Sequence, residues 1–295
     1  MSQIITVFGA TGAQGGGLAR AILADPERRF AVRAATRRPD GTAARALAAA
    51  GAEVVAADLD DPPSVERAMR GAYGAFCVTN YWEHLSPERE LAQAETMARA
   101  ASSAGVSHVV WSTLEDTRQY VMPGRVMPVL AGRYNVPHFD AKGEANRAFI
   151  DRGLPTTLLH TSFYWDNLIH FGMQPRRGAS GGLEFILPMG DARLPGIAAD
   201  DIGPCALGIF ARGAGLVGKS VGIAGEHLSG AQMAEQLALA LGEPVTHLSP
   251  TPQQYAALGF PGADDLANMF QFKTDFERAY RAARNPSCAR ELHPG

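Results

Sequence analysis

Short unbroken apolar runs alternate with alanine- and leucine-bearing stretches of helical period through the first half of the chain. The runs are Ile4-Ile5-Thr6-Val7-Phe8, Ala31-Val32-Arg33-Ala34-Ala35-Thr36, Val54-Val55-Ala56-Ala57, Ala72 to Val78, Val106 to Trp111 and Leu154 to His160. Continuous runs of this length, rich in β-branched residues, read as strands covered on both faces. Between them fall helices over 18–23, about 42–50, from Pro63-Ser64 onward, and about 86–104, with Ser64 and Ser86 as N-cap candidates. Strand–helix alternation of this kind predicts an α/β, Rossmann-type, doubly wound parallel sheet.

After residue 155 the rhythm changes. Residues 172–195 are rich in glycine and proline, with a short strand near Leu183–Leu187. A strand about Pro195–Ala199 precedes a helix capped by Asp200 or Asp201. Then come a strand over 220–223, a helix about 229–241, a strand over 245–248, and helices about 251–258 and 263–271. The reading is a Rossmann domain over 1–155, which the chain rejoins at about 195–225 and 244–262. A smaller, discontinuous domain within 156–295 forms the substrate or partner side of a cleft.

The first turn carries the most specific signal. Gly9-Ala10-Thr11-Gly12-Ala13-Gln14-Gly15 follows a strand and opens a helix, the context a dinucleotide-binding turn requires. Gly9 permits the tight turn, Gly12 lets backbone approach a pyrophosphate, and Gly15 lets the helix close on the strand. Gly9, Thr11, Gly12, Ala13, Gln14 and Gly15 are therefore candidate cofactor contacts, with the helix N-terminus facing phosphate. The second strand ends in Arg37-Arg38, where an NAD-preferring site usually carries an acidic residue. The planar fork of Arg37 suits a 2′-phosphate, so the cofactor expected is NADP(H). Asp58 and Leu59, ending the third strand, lie where an adenine would sit; a turn or capping role for Asp58 is an equal reading. Thr79-Asn80-Tyr81, after the fourth strand, and the aromatic loop Tyr164-Trp165-Asp166-Asn167, after the sixth, lie at carboxyl strand ends, where such sheets bind ligands. Thr79, Asn80, Tyr81, Tyr164 and Asn167 are candidate contacts to ribose or nicotinamide, while Trp82 reads as a packing residue.

Strand five ends in Ser112-Thr113, the place of the catalytic serine or threonine in short-chain dehydrogenases. The Tyr-x-x-x-Lys that should follow reads His138-Phe139-Asp140-Ala141-Lys142. The lysine is present and the tyrosine is a histidine, a poor proton donor when a neighbouring ammonium favours its neutral form. Tyr134 is too far from Lys142 in sequence to replace it. The catalytic candidates are therefore Lys142, His138 and Tyr164. A proline- and glycine-rich stretch from Val121 to Pro137 reads as a surface connection, with a lid over the nicotinamide side as the alternative.

Bulk properties narrow the classes. A net charge of −3 gives no field for direct nucleic-acid or membrane binding, and 46% hydrophobic content allows a full core. The chain shows neither an N-terminal targeting stretch nor a membrane-length apolar run, and cytoplasm is expected. Cys77, Cys205 and Cys288 have no metal-binding spacing; Cys77, in a strand, reads as core.

With Thr36-Arg37, Val78-Thr79-Asn80-Tyr81-Trp82-Glu83, His138 to Glu144 and Leu258 to Phe270 set beside the glycine turn, the chain resembles the NmrA-like family of atypical short-chain dehydrogenases. That resemblance implies NADP(H) binding through the glycine turn, Arg37, the Thr79–Tyr81 loop, Lys142 and the Tyr164–Asn167 loop. It also implies a redox-sensing or regulatory role with little dehydrogenase turnover, and a regulatory protein as partner. Relatives that reduce small molecules keep a second function open, an NADPH-dependent reductase of a carbonyl, quinone or imine. Two basic phosphate contacts of the family fall here on Gly41 and Ala92. Oligomeric state stays open between monomer and homodimer.

Overall fold

The computed structural model describes residues 2–120 and 127–294. The apolar runs form strands β1 (Gln3–Val7), β2 (Phe30–Thr36), β3 (Glu53–Ala56), β4 (Gly74–Cys77), β5 (His108–Thr113) and β6 (Thr156–His160). The stretches between them form helices α1 (Ala13–Ala24), α2 (Thr42–Ala49), α3 (Pro62–Met69), α4 (Pro87–Ala104) and α5 (Pro137–Ile150). Beyond β6 the chain runs through β7 (Phe163–Tyr164), α6 (Asn167–His170), β8 (Arg176–Arg177), β9 (Leu183–Ile186) and β10 (Leu194–Ile197). Then follow α7 (Ala199–Arg212), β11 (Ser220–Gly222), β12 (Glu226–Leu228), α8 (Gly230–Leu241) and β13 (Val245–Leu248). The last elements are α9 (Pro252–Ala256), α10 (Ala263–Asp275), α11 (Glu277–Ala282) and α12 (Pro286–Leu292).

Among the described residues the main sheet has seven strands in the order β11-β6-β5-β4-β1-β2-β3, and every pairing in it is parallel. The order reverses between β1 and β4, which opens a crevice at their carboxyl ends. Two apolar layers cover the sheet. One holds Ile5, Val7, Leu18, Ile22 and Phe210; the other holds Val65, Met69, Met97, Val109, Trp111 and Phe149. Cys77 is fully buried in the second, as its strand position predicts. Helices α1 and α7 touch backbone to backbone: a Cβ on Gly203 would lie 2.0 Å from the Gly17 carbonyl carbon.

The second half departs from expectation in places. β11 joins the main sheet beside β6, but β10 pairs with β12 and β7 in a separate three-stranded sheet. The return expected at 244–262 does not reach the main sheet either: β13 pairs with β9 in a third sheet. Its residues are at most half-buried, unlike a central parallel strand covered on both faces. A third apolar cluster around Phe163, Phe185, Leu187, Met269, Phe270 and Phe272 holds this region together.

Three capping expectations resolve differently. Ser86 caps α4, accepting from Arg89 N at 3.2 Å. Ser64 lies inside α3, whose N-cap position is Asp61, and its hydroxyl donates to the Asp61 carbonyl at 2.7 Å. Asp200 and Asp201 fall in the first turn of α7, after Ala198 at the cap; carboxylates there still favour the positive helix end.

Candidate cofactor-binding site

The glycine turn is open to solvent and shaped for an anion. Gly9 has φ +64°, a left-handed conformation that disfavours a side chain. Gly12 N donates to the Gly9 carbonyl at 2.9 Å, closing the turn. A Cβ on Gly15 would lie 2.5 Å from the Gly9 oxygen, so only glycine lets α1 start this close to β1. Thr11, Gly12 and Ala13 are exposed, and the first amides of α1 have no acceptor within the helix. These features fit a dinucleotide pyrophosphate.

Gln14 reaches across the crevice. Its amide nitrogen donates to the Tyr164 hydroxyl at 2.5 Å, and its carbonyl accepts from Ser112 Oγ at 2.7 Å. The start of α1, the end of β5 and β7 thus meet in one hydrogen-bonded group. Burial pushes the Tyr164 phenol up, and hydrogen bonds with Thr161 and Gln14 partly offset it.

Lys142 stands at the end of β4. Its ammonium lies 2.8 Å from Glu90 Oε1 and donates to Thr79 Oγ1 at 2.5 Å and the Thr79 carbonyl at 3.2 Å. It also sits 5.2 Å from the Trp111 ring centroid. Glu90 is fully buried. Burial would raise its pKa, but the Lys142 charge and hydrogen bonds from Lys142 and Thr79, with the His84 ring, hold it at about 2. His84 Nε2 stands 3.4 Å from Glu90 Oε2, an ion-pair distance without the alignment of a hydrogen bond.

His138, the other catalytic candidate on α5, turns away from this group. Its side chain is 7% exposed and its Nδ1 donates to Asp265 Oδ1 at 2.6 Å, while its backbone N–H donates to Asp265 Oδ2. Trp82 and Phe139 close on the ring at 4.7 and 4.8 Å between centroids. Tyr81, expected to face the ligand, is buried in the same cluster, 6.0 Å from His138, because its large ring packs better inside than in the loop. Tyr134 is also buried, with the guanidinium carbons of Arg118 and Arg133 5.1 and 4.6 Å from its ring centroid.

Arg37 lies at the end of β2 with its fork on Glu83: Nη1 and Nη2 each donate to one carboxylate oxygen, the second at 3.0 Å. Asp58 Oδ1 accepts from Asp60 N at 3.1 Å, a turn contact, and Leu59 beside it is half-buried. Asn80 is exposed, and Asn167 opens the short helix α6. The first part of the suggested lid, residues 121–126, lies outside the described residues. Its second part is pinned: the Asn268 amide donates to the carbonyls of Pro128 and Asn135, and Asp140 accepts from Asn135 N and Val136 N.

The residues brought together are the glycine turn, Gln14, Thr79, Lys142 and Tyr164, with Arg37 at the outer end. Ser112, at the strand end where a catalytic serine was expected, bonds Gln14, while Glu90, Glu83 and Asp265 are partners that sequence reasoning did not assign. Glu90 left a trace: it lies on the face of α4 that also carries Ala94, Met97 and Ala101, all buried. A carboxylate on an apolar stripe marks a buried partner.

The model of the NmrA-like family matches residues 1–294. The NmrA-like family domain-containing oxidoreductase FrzB of Cladobotryum sp. is 33% identical over 71% of this chain. The chain spans 65% of the length of FrzB, and 43% and 44% of the next two curated oxidoreductases it matches. Among solved structures, NmrA, a negative transcriptional regulator, superposes with a TM-score of 0.81 at 25% identity, covering 100% of this chain and 92% of that one. The triphenylmethane reductase of Citrobacter sp. has the same fold, with a TM-score of 0.75 at 19% identity over 100% and 96% of the two chains.

Proposed function

The chain belongs to the NmrA-like family, and from that premise we propose that it binds NADP(H) as a redox-sensing or regulatory protein with little dehydrogenase turnover. The observation that carries this reading is His138 in the place of the catalytic tyrosine, its ring nitrogen taken by Asp265. Two fold neighbours support the cofactor: NmrA was solved in complex with NADP, and the Citrobacter reductase with NADP(H). The α1 N-terminus binds the pyrophosphate, Arg37 takes the 2′-phosphate, and Lys142 with Thr79 serves the nicotinamide ribose. Asn80, Tyr164 and Asn167 flank that end. A bound nicotinamide dinucleotide supplies hydride transfer when a substrate is present. In the regulatory reading its binding state is what a partner protein reads, in the cytoplasm.

A second reading, an NADPH-dependent reductase of a small carbonyl, quinone or imine, draws on one observation. The Tyr164 hydroxyl accepts from Gln14 Nε2 beside Ser112, which holds a phenol, a group able to donate a proton, at the carboxyl end of the sheet. The test is NADPH oxidation across quinones, aldehydes and imines by the wild type, His138→Gln and Tyr164→Phe. Glutamine at 138 keeps a donor for Asp265. The regulatory reading expects no substrate above a slow background and unchanged NADPH affinity in His138→Gln. Several turnovers per second in the wild type, cut ~100-fold in Tyr164→Phe, would replace it with the reductase reading.

A further inference from the structure

The guanidinium expected to hold a 2′-phosphate already holds a carboxylate. Arg37 and Glu83 meet in a two-point fork, with side chains 54% and 40% exposed, so both groups are reachable from solvent. Asp58 and Asp60 add negative field around the same arginine. Arg38 beside it has no carboxylate partner among the described residues, but Arg37 is the cation that Glu83 occupies.

We propose that Glu83 sets how strongly the site distinguishes a 2′-phosphorylated dinucleotide from its unphosphorylated form, by competing with the 2′-phosphate for Arg37. The proposal rests on the reading that Arg37 takes that phosphate. The fork engages both terminal nitrogens. An incoming phosphate must displace the carboxylate or approach the free Nε edge beside it. In the first case binding costs the Arg37–Glu83 pair; in the second it meets a like charge within a few ångströms. Both penalties fall on the phosphorylated cofactor alone. Glu83 therefore narrows a preference that Arg37 widens.

The surrounding turn keeps Glu83 in place and makes it safe to change. In the short 3₁₀ turn Tyr81–Glu83, Tyr81 is buried and Trp82 packs on His138. Gly262, at the start of α10, also lies close to the Trp82 ring: a Cβ there would be 3.0 Å from it. These neighbours fix the turn without help from Glu83, whose carboxylate faces the solvent side.

The test is titration of NADPH and NADH into the wild type, Glu83→Gln, Arg37→Ala and the double variant at low salt. Glu83→Gln is expected to tighten NADPH about three- to tenfold, the scale of an exposed pair plus one removed like charge, and to change NADH by less than twofold. In the Arg37→Ala background the same change should gain less than about twofold for NADPH. The proposal is overturned if Glu83→Gln leaves NADPH affinity unchanged, tightens both cofactors alike, or gains as much without Arg37. If Arg37→Ala alone leaves the NADPH-to-NADH ratio unchanged, the phosphate reading of Arg37 fails first, a result distinct from failure at Glu83.

Discussion

Replacing Glu90 with glutamine tests the buried centre of the site. Glu90 is fully buried and bonds the Lys142 ammonium at 2.8 Å. Its carboxyl stands at about 2 against an ordinary 4.5. That difference corresponds to about 3 kcal/mol of folding stability. A depressed folded-state pKa stabilises fully above the unfolded value, and the gain drains away as pH falls from about 4.5 toward 2. Glu90→Gln leaves Lys142, only 12% exposed, without its countercharge. The expected loss at pH 7 is about 3–5 kcal/mol, the usual cost of breaking a buried pair. Urea unfolding of both proteins at pH 7, 5, 4 and 3 measures it. The gap between wild type and variant should hold from pH 7 to 5 and narrow below that. Adding Lys142→Met to Glu90→Gln should recover most of the loss, since the stranded charge is then gone. A pH 7 loss under 1 kcal/mol, or a gap unchanged down to pH 3, would refute the assignment of Glu90 as the buried counterion.

Gly12→Val should fold normally yet lose NADPH binding: a Cβ there meets only the Gly9 oxygen, at 3.3 Å, while the side chain fills the cradle; calorimetric titration beside a melting curve checks both halves. Gly15→Ala should instead lower the melting temperature, because its Cβ would press to 2.5 Å from the same oxygen. Lys273 is buried with its ammonium 3.2 Å from the Met269 sulfur and 5.5, 5.7 and 5.5 Å from the ring centroids of Phe139, Phe270 and Tyr280, and burial, reinforced by the Arg284 charge against the pull of Glu115, lowers it to about 7. The unfolded chain binds the extra proton up to about pH 10.5, so stability should rise with pH above 7. Lys273→Met should flatten that rise and add about 1–3 kcal/mol at pH 7, read by denaturant melts at pH 7 and 9.

The main sheet was legible because its central strands, β4 and β5 above all, are buried on both faces and so read as unbroken apolar runs, and each of β1 to β6 lies within two residues of its expected place at either end. The later strands were harder for the same physical reason. Phe163–Tyr164, Arg176–Arg177 and Glu226–Leu228 are two or three residues long and carry no periodicity. The run over 245–248 announced a strand but not its partner, since pairing with Leu183–Ile186 is decided by the packing of the third apolar cluster. Helices α11 and α12 follow α10 with little break, and no glycine signals the ends between them.

The site was half legible. Local backbone requirements show in sequence, so the glycine turn could be placed from spacing alone. Charge pairing across the fold cannot be read that way, and it changes what the cations do. Arg37 is held by Glu83, Lys142 by Glu90, and the wholly buried Arg284 by Glu115 at 2.5 and 2.9 Å. Each carboxylate comes from a different element: the 81–83 turn, α4, and the loop after β5. Burial pushes Glu115 up, but the Arg284 guanidinium outweighs it and holds the carboxyl at about 2. An anion meeting any of these cations must contend with a carboxylate already there. The exposed amides at the start of α1 have no such rival within the helix. Under the proposed reading the glycine turn is therefore the part of the site where a dinucleotide meets no competing carboxylate. Of the three pairs Arg37–Glu83 is the most exposed, and under the proposed reading it is the one that a 2′-phosphate would have to reopen.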